Sequence, residues 1–332
     1  MRPSFYPRHQ EVSNATSDAT PSAAFVGLKE HCPTGTVPIR RTSKEDQLRA
    51  KANFRQQFYG SYSVKANDPH NDLPTIFFAG VSAKSDSKKR YHGGGGYVSV
   101  YNPVAGKGQF TASAISIEGG LPEEEQFSVI RVGWMVNLDA FGTNATRFYT
   151  IWGQTDEEGD FHGCYDTVCA GFVHVSTKVP LGFTFTKISV AKGPQYYVKL
   201  SVIQDKISGN WLLMYNENEE GMDSLVGYWP SVLFQGGHLV KDGAATVRLG
   251  GMTYSNTQNL PPMGSGKDDS HFRRISLVLD PWVTIGGDQI GELLEEAGSP
   301  CYTVGDDSFK KEAFWGYSFW FGGPGGERSQ CL

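Results

Sequence analysis

Short runs in which apolar and polar residues alternate dominate the chain from about residue 75 onward, with glycine, proline and small polar residues between them. The segment 97–101 reads Tyr-Val-Ser-Val-Tyr, for example, and Asn102-Pro103 ends it. A period of two is typical of a strand that buries one face. The pattern predicts strands at 75–79, 97–101, 110–118, 128–136, 146–152, 170–175, 183–190, 195–204, 210–215, 225–229, 244–254, 271–279 and 314–321.

Many short strands with turns between them predict an all-β fold. The spacing favours an antiparallel two-sheet β-sandwich, jelly-roll-like, over βαβ units. The 40 glycines and 13% aromatic residues suit this fold, because turns need glycine and pleated faces need bulky side chains. One domain over residues 70–332 accounts for all the predicted strands.

The N-terminal part has a different pattern. Residues 1–27 are rich in Ser, Thr, Ala and Pro, which predicts a poorly ordered arm. A short helix is predicted after it, because Thr42 is followed three residues later by Glu45, as in a capping box. We expect this helix to end near Gly60, and we assign residues 1–55 to the arm.

Charge and hydropathy exclude two classes of partner. The net charge is −5 with acids and bases mixed, whereas a nucleic-acid binder needs a basic face. No apolar run approaches the roughly 20 residues that span a bilayer. The polar N-terminus, MRPSFYPRHQ, also lacks the apolar stretch of a signal peptide. We therefore expect neither nucleic acid nor a membrane as partner.

Cysteines and glycosylation motifs favour an oxidising compartment. Cys164 and Cys169 lie in GCYDTVC, and Cys301 and Cys331 bracket the C-terminal segment, positions that favour disulfides. A lone Cys-x4-Cys is not a zinc signature, so no metal is expected. Two sequons, at Asn14 and Asn144, are candidate glycosylation sites.

A series of segments, taken together, resembles the plant neprosin family over nearly all of residues 70–332. The matching blocks, in order, are GWMV (133–136), TRFYTIW (146–152), GCYDTVCAGFV (163–173), QYYVKLSVIQDKISGNWLL (195–213), VGYWPSVLF (226–234), PPMGSG (261–266), HFRRISLVLD (271–280) and WGYSFWFGGPG (315–325). The resemblance implies a secreted glutamic endopeptidase that cleaves at proline. It also implies a sandwich of two antiparallel sheets, made as a proprotein with a removable N-terminal segment and without a cofactor.

The arm resembles the end of the family's activation peptide, in CPTGTVPIRRT (32–42) and the opening MRPSF. In the family the cysteine at the position of Cys32 has a partner further upstream. The resemblance thus implies that the arm is truncated and that Met1 corresponds to an internal methionine of a longer proprotein. The alternative is that Cys32 is a free thiol on the arm.

The positions of the family's two catalytic glutamates hold other residues in this chain. The first lies two residues before Gly133-Trp134, at Arg131, and the second follows Gly250-Gly251, at Met252. The family's glutamine is replaced by Ala114 and its tryptophan by Ser116.

A glutamic peptidase needs one ionised and one protonated carboxyl group close together, an arrangement that raises one pKa strongly. Arginine keeps its proton up to a pH above about 12, and methionine has none to give. We therefore predict that Arg131 and Met252 cannot form the acid–base pair.

Other residues could supply chemistry instead. Glu118 precedes Gly119-Gly120 and is interpreted as a surface carboxylate at a loop edge, and the acidic run 123–125 as a solvated loop. Ser265 lacks the flanking glycines of a nucleophile elbow and is interpreted as part of a turn, and the glycine run 93–96 precedes a strand rather than a phosphate-binding helix. The histidines show no metal-ligand spacing, at His162, His174, His238 and His271.

Four aromatic residues in the best-matching blocks have two interpretations. They either pack in the core of the sandwich or form a groove wall that stacks on proline or sugar rings. They are Trp134, Trp152, Tyr228 and Trp229.

Three functions remain open from the sequence. The first is a non-catalytic or impaired homologue that binds Pro-containing peptides or proteins, or a cell-wall polymer. The second is an active proline-specific endopeptidase that uses other carboxylates. The third is a structural remnant, or a polysaccharide-binding sandwich without activity. The family resemblance implies an extracellular location for all three.

Overall fold

The computed structural model describes residues 22–23, 28, 30–54, 75–85, 90–120, 127–156, 158–216, 224–234, 239, 243–267, 276–285, 288–290, 295–305 and 318–331. These residues form two large sheets that pack face to face, so the predicted all-β two-sheet sandwich is confirmed.

Within the described ranges, one sheet has seven strands, all paired antiparallel. In spatial order they are β16 (Glu295–Ala297), β2 (Thr75–Lys84), β12 (Thr246–Ser255), β4 (Gln109–Gly119), β5 (Ser128–Val136), β6 (Arg147–Thr155) and β7 (Phe161–Tyr165).

The other sheet has ten strands among the described residues. Its main order is β17 (Thr303–Gly305), β18 (Ser318–Gly322), β14 (Ser276–Ile285), β3 (Tyr91–Ser99), β9 (Tyr196–Gln204), β10 (Trp211–Asn216), β11 (Ser224–Trp229) and β8 (Val173–His174). Off this path, β1 (Ser22–Ala23) pairs parallel with β9, and β15 (Asp288–Ile290) pairs with β14.

Smaller elements complete the described part. They are the ribbon β13 (Asn259–Leu260) with β19 (Gly326–Glu327), the helices α1 (Lys44–Phe54), α2 (Leu138–Phe141) and α3 (Arg328–Cys331), and a 3-10 turn at Ser231–Phe234. No helix in these ranges is long and apolar enough to cross a membrane.

The main core lies between the two sheets. Every second residue of β5 points into this core, at Ile130, Val132 and Trp134. From the other sheet, β9 contributes Val198 and Leu200 to the same core. The alternation follows from the pleat, which sends successive side chains to opposite faces. The period-two pattern of the sequence therefore describes this inner face correctly.

The outer face of the seven-stranded sheet is also buried. A second apolar cluster lies there, with Ala112, Met135 and Met252 from three neighbouring strands. The helix α1 adds Ala50 and Phe54 to it, and α2 adds its own apolar residues. As a result β4, β5 and β12 are buried over almost their whole length.

The predicted helix exists, but its cap is one residue further along than expected. The backbone N–H of Asp46 donates to Ser43 Oγ at 3.0 Å, and the N–H of Ser43 donates to Asp46 Oδ2 at 3.0 Å. The Thr42 hydroxyl donates instead to the Arg40 carbonyl. Two residues of the segment can make a capping box, and the carboxyl of Asp46 completes the one at Ser43. Residues 55–60 lie outside the described part.

One strand prediction is wrong. Residues 183–190 form no strand, because this segment contacts the start of β6 only through a single bridge, between Thr184 and Arg147. The other predicted strands lie at strands of the structure, although residues 271–275 and 314–317 are outside the described ranges.

The glycine run 93–96 lies inside β3. A Cβ atom on Gly95 would come within 2.7 Å of the Trp282 ring, so a larger residue there would collide with the ring. Both predicted disulfides are present, Cys164–Cys169 and Cys301–Cys331, and Cys32 is a free thiol.

Candidate functional site

Arg131, Ala114 and Met252 all lie on the outer face of the seven-stranded sheet. The strand β4 lies between β5, which carries Arg131, and β12, which carries Met252. On β4, Ser116 lies opposite both Arg131 and Arg248. Met252 lies opposite Ala112, four residues further along β12 than Arg248. Arg131 and Met252 are thus about 10 Å apart across the strands and about 13 Å along them, given the usual strand spacings. The three positions share a face but not a row.

A buried polar cluster surrounds Arg131. The Arg131 Nε donates to Ser116 Oγ at 3.2 Å, and the Ser116 hydroxyl donates to Glu118 Oε1 at 2.8 Å. From the other side, the Arg248 Nε donates to Glu118 Oε2 at 3.0 Å. We call these four residues the Glu118 cluster. It connects strands β5, β4 and β12 and leaves Arg131 only 1% exposed.

The interpretation of Glu118 as a surface carboxylate is wrong, because its side chain is 0% exposed. The strand β4 continues to Gly119, so Glu118 points to the same face as Ser116 and Ala114. The spacing of two residues from Ser116 to Glu118 was the sequence feature that indicated a shared face. The two glycines that follow suggested a loop instead. Arg248, the partner of Glu118, was also missed.

The surroundings of Glu118 lower the pKa of its carboxyl group. Burial by itself would raise the pKa of Glu118, but the guanidinium groups of Arg248 and Arg131 and the hydrogen bonds from Arg248 and Ser116 outweigh burial and lower it. A lowered pKa favours the ionised form of the Glu118 carboxyl, which accepts hydrogen bonds, over the protonated form that a general acid needs.

The other end of the face is apolar. Met252 and Ala114 belong to one buried cluster with Met135 and Tyr149. The rings of Phe110 and Tyr254 stack beside them, with centroids 5.4 Å apart and planes inclined by 4°. Neither the Met252 nor the Ala114 side chain can hold or move a proton.

The chain was compared with models of known protein families. The family model described as Neprosin matches residues 107–324 of the chain. The chain belongs to the Neprosin family. The matched range contains every residue of the Glu118 cluster and Met252.

Two solved structures are similar over much of the chain. Both are crystal structures of scytalido-glutamic peptidase, one with a peptide-based transition-state analogue and one with a transition-state analogue inhibitor. Each has 8% sequence identity and covers 75% of this chain and 98% of its own, with TM-scores of 0.37 and 0.38.

The groove-wall interpretation is wrong for three of the four aromatic residues in this Neprosin-family chain. Trp134, Trp152 and Trp229 lie in the core between the sheets, as the alternative interpretation predicted. The Trp134 indole N–H, for example, donates to the Ser99 carbonyl at 2.7 Å. Trp134 and Trp152 lie an even number of residues from the core positions Val132 and Phe148, as the pleat requires. Trp229 lies three residues from the core residue Val226, because the register of β10 and β11 shifts at that residue.

Tyr228 lies elsewhere. It is half-buried on the outer face of the ten-stranded sheet, against a small cluster that includes Leu212, Met214 and Trp282. This face is on the opposite side of the sandwich from Arg131 and Met252, so Tyr228 does not contribute to a site with them.

The remaining candidates are the histidines and Ser265. His162 is exposed and pairs with Asp156, and His174 Nε2 lies 2.8 Å from the Val179 carbonyl oxygen. No group of three or more His, Cys, Asp and Glu side chains in those ranges is placed to hold a metal ion. Ser265 lies in a turn, as predicted. The predictions for Asn14, residues 123–125, His238 and His271 lie outside the described residues.

Proposed function

We propose that this Neprosin-family protein is non-catalytic or strongly impaired as a peptidase, and that it binds Pro-containing peptides or proteins. The observation that carries the first half is the Glu118 cluster. Arg131 stands at a position where the family resemblance implies a catalytic glutamate, and it is hydrogen-bonded into this buried network rather than exposed to solvent.

Charge argues against proton transfer at this site. Two guanidinium groups, of Arg131 and Arg248, stand beside the single carboxylate of Glu118. A glutamic peptidase needs one carboxyl that stays protonated, which requires a neighbouring negative charge or an apolar site without cations. Here the cations favour the ionised form, so Glu118 is suited to holding three strands together.

The binding half rests on the apolar end of the same face. The stacked rings of Phe110 and Tyr254 offer flat aromatic surface of the kind that packs well against proline rings. These rings are buried, and α1 contributes Phe54 to the same cluster. Peptide binding there requires the helix to move away from the sheet.

The alternative is an active proline-specific endopeptidase that uses other carboxylates. It requires a second acid close to Glu118 or a pair elsewhere on the outer face. Activity in the unmodified protein would favour it, whereas binding to a polysaccharide and not to peptides would favour a sugar-binding sandwich.

Cleavage of a Pro-containing fluorogenic peptide from roughly pH 2.5 to 6, the range in which paired carboxyls share a proton, tests the proposal. Three proteins are compared: the native chain, the Arg131→Glu/Met252→Glu double variant, and a matched Arg131→Gln/Met252→Gln control. We expect no cleavage by the native chain or the control. Cleavage by the native chain would overturn the proposal, and cleavage by the Glu variant alone would support it directly.

Binding is measured separately, by calorimetry with uncleaved Pro-containing peptides on the native chain. We expect saturable binding that is lost when the same peptides carry alanine in place of proline. We also propose an extracellular location, which the two disulfides support because such bonds persist in oxidising compartments. Asn144 is exposed, as glycosylation there requires.

A further inference from the structure

Three arginines meet where the N-terminal arm crosses the sandwich. Arg49 comes from α1 and Arg147 from β6, and both contact the turn after α2. The Arg49 guanidinium lies 3.3 Å from the point where a Cβ on Gly142 would be. Arg147 Nη2 lies 3.3 Å from the Phe141 carbonyl and 3.4 Å from Thr143 Oγ1, with the nitrogen as donor.

Arg40 lies against the segment around Gly182, and its charge acts on Arg147. Its Cδ lies 3.4 Å from the Cβ position of Gly182, and the Asp166 Oδ2 lies 3.0 Å from the same point. The next residues of that segment reach Arg147, because Thr184 forms a β-bridge with it. We call Arg40, Arg49 and Arg147 the arginine junction. It joins the arm to the body of the sandwich.

The junction contains buried donors without acceptors. Arg147 is 7% exposed, and in the described part of the chain neither its Nε nor its Nη1 has a hydrogen-bond partner. The Nε of Arg49 is also buried without a hydrogen-bond partner in these ranges. Buried N–H groups in folded proteins are almost always satisfied, because a lost hydrogen bond to a charged group is costly. These three donor nitrogens therefore lack the acceptor that buried N–H groups normally have.

The neighbouring acids already have other partners. Asp46 binds Arg49 and also accepts from Ser43, whose backbone N–H is the main cause that lowers the pKa of Asp46 to about 2. Asp166 accepts from the Thr150 backbone N–H at 2.8 Å. Burial raises the pKa of Asp166 to about 7, so it is only partly ionised at neutral pH. Glu45 contacts Arg49 at the exposed rim.

The junction therefore brings three guanidinium groups together, and one of the acids beside them, Asp166, is only partly ionised at neutral pH. Burial, and next the charge of Arg40, lower the pKa of Arg147 to about 10, which still leaves it protonated at neutral pH. Planar guanidinium groups recognise oxyanions through paired N–H donors, and several of them around one anion suit a tetrahedral group better than a flat carboxylate. Arg49 is 33% exposed and Arg40 is half-buried, so the rim is open to small solutes.

We propose that the arginine junction binds a small oxyanion of the phosphate or sulfate class, and that the bound anion fastens the arm to β6 and α2. The anion accepts from Arg147 at the base and from Arg49 and Arg40 at the rim. This site is separate from the Glu118 cluster, so its existence does not depend on whether the protein cuts or binds peptides.

Two measurements on the full chain test the proposal, in chloride and in inorganic phosphate or sulfate at equal ionic strength. The first is thermal unfolding, because a ligand at roughly 100 times its Kd that binds only the folded state raises Tm by several degrees. The second is the reaction rate of the Cys32 thiol. Cys32 lies on the arm, where its N–H donates to the Thr177 carbonyl at 2.8 Å, and the other four cysteines form disulfides.

We expect phosphate or sulfate to raise Tm and to slow the modification of Cys32 several-fold. Arg147→Gln should abolish both effects. Arg41→Ala is the matched control, because Arg41 is exposed on the same segment and should retain both effects. Sulfate and phosphate at high concentration stabilise most proteins by exclusion from the surface, so the decisive quantity is the difference between the variants at low concentration.

Rim variants keep the test decisive if Arg147→Gln does not fold. Arg49→Gln and Arg40→Gln alter partly exposed side chains, and each should weaken anion affinity by about tenfold, the usual effect of one charged hydrogen bond. Equal shifts in the native chain and in all arginine variants would overturn the proposal. So would the absence of any anion effect on both Tm and the Cys32 rate.

Discussion

The two ends of the outer face of the seven-stranded sheet are equally buried, but burial has different requirements at each. At one end, Glu118 is stabilised by Arg131 and Arg248, and none of the three charges is tolerable alone. At the other end, Met252 and Ala114 contribute only apolar contact, which depends on volume. Loss of one charged partner therefore destabilises the charged end strongly, whereas the apolar end loses stability in proportion to the volume that is removed.

The largest expected effect is at the charged end. Arg248→Met removes the charged group that donates directly to Glu118 and leaves a buried carboxylate with less compensating positive charge. We expect a loss of about 3–5 kcal/mol in the free energy of unfolding, measured by urea denaturation. Replacing Arg131, Glu118 and Arg248 together by apolar residues of similar size should recover most of this loss. If the triple variant were as unstable as Arg248→Met, the three charged residues would contribute stability beyond neutralising one another.

At the apolar end the expected effect is somewhat smaller. Met252→Ala should cost about 2–4 kcal/mol through lost contact and a cavity, whereas Met252→Leu should cost less than about 1.5 kcal/mol because it conserves volume. Urea denaturation of both variants provides the measurement. Similar losses in the two variants would contradict a role for Met252 that depends on volume alone.

Acidification should distinguish the two ends. The pKa of Glu118 is lower in the folded than in the unfolded protein, where it is about 4.3. The stability that its ionised form contributes is therefore present above about pH 4.3 and is lost as the pH falls through the folded value. We expect the free energy of unfolding to fall less on acidification in the apolar triple variant than in the native chain. Parallel curves would show that Glu118 is not a source of the acid sensitivity.

The smallest expected effect concerns the helix that covers this face. Ser43→Ala removes the hydroxyl that caps α1 and should cost about 1 kcal/mol in stability. Thr42→Ala should change stability by less than about 0.5 kcal/mol, because the Thr42 side chain does not cap the helix. Thermal unfolding measures both, and the reverse order of effects would contradict the observed cap.

Much of the fold was predictable from local pattern, and the site was not. The strands β4, β5 and β12 were predicted almost to the residue, because each is a short run rich in apolar and small residues between turn signals. Glu118 was misassigned because a glutamate at the end of a predicted strand, before two glycines, is typical of a solvent-exposed edge. Its burial depends on pairing with β5 and β12, which brings Arg131 and Arg248 beside it. The tryptophans show a similar limit: their residue type suits a core and a groove equally well.

The amino-acid sequence by itself determined the two-sheet class, the cysteine pairs, the family, and the presence of Arg131 and Met252 where two glutamates were expected. Only the tertiary structure decided what those residues do. Cross-strand register brings Arg131, Ser116 and Arg248 into one row from positions up to 132 residues apart. Which residues of such distant strands lie opposite one another cannot be read from either strand alone. The arginine junction has the same origin, because its members come from a docked arm and from the sheet, which meet only after the chain has folded.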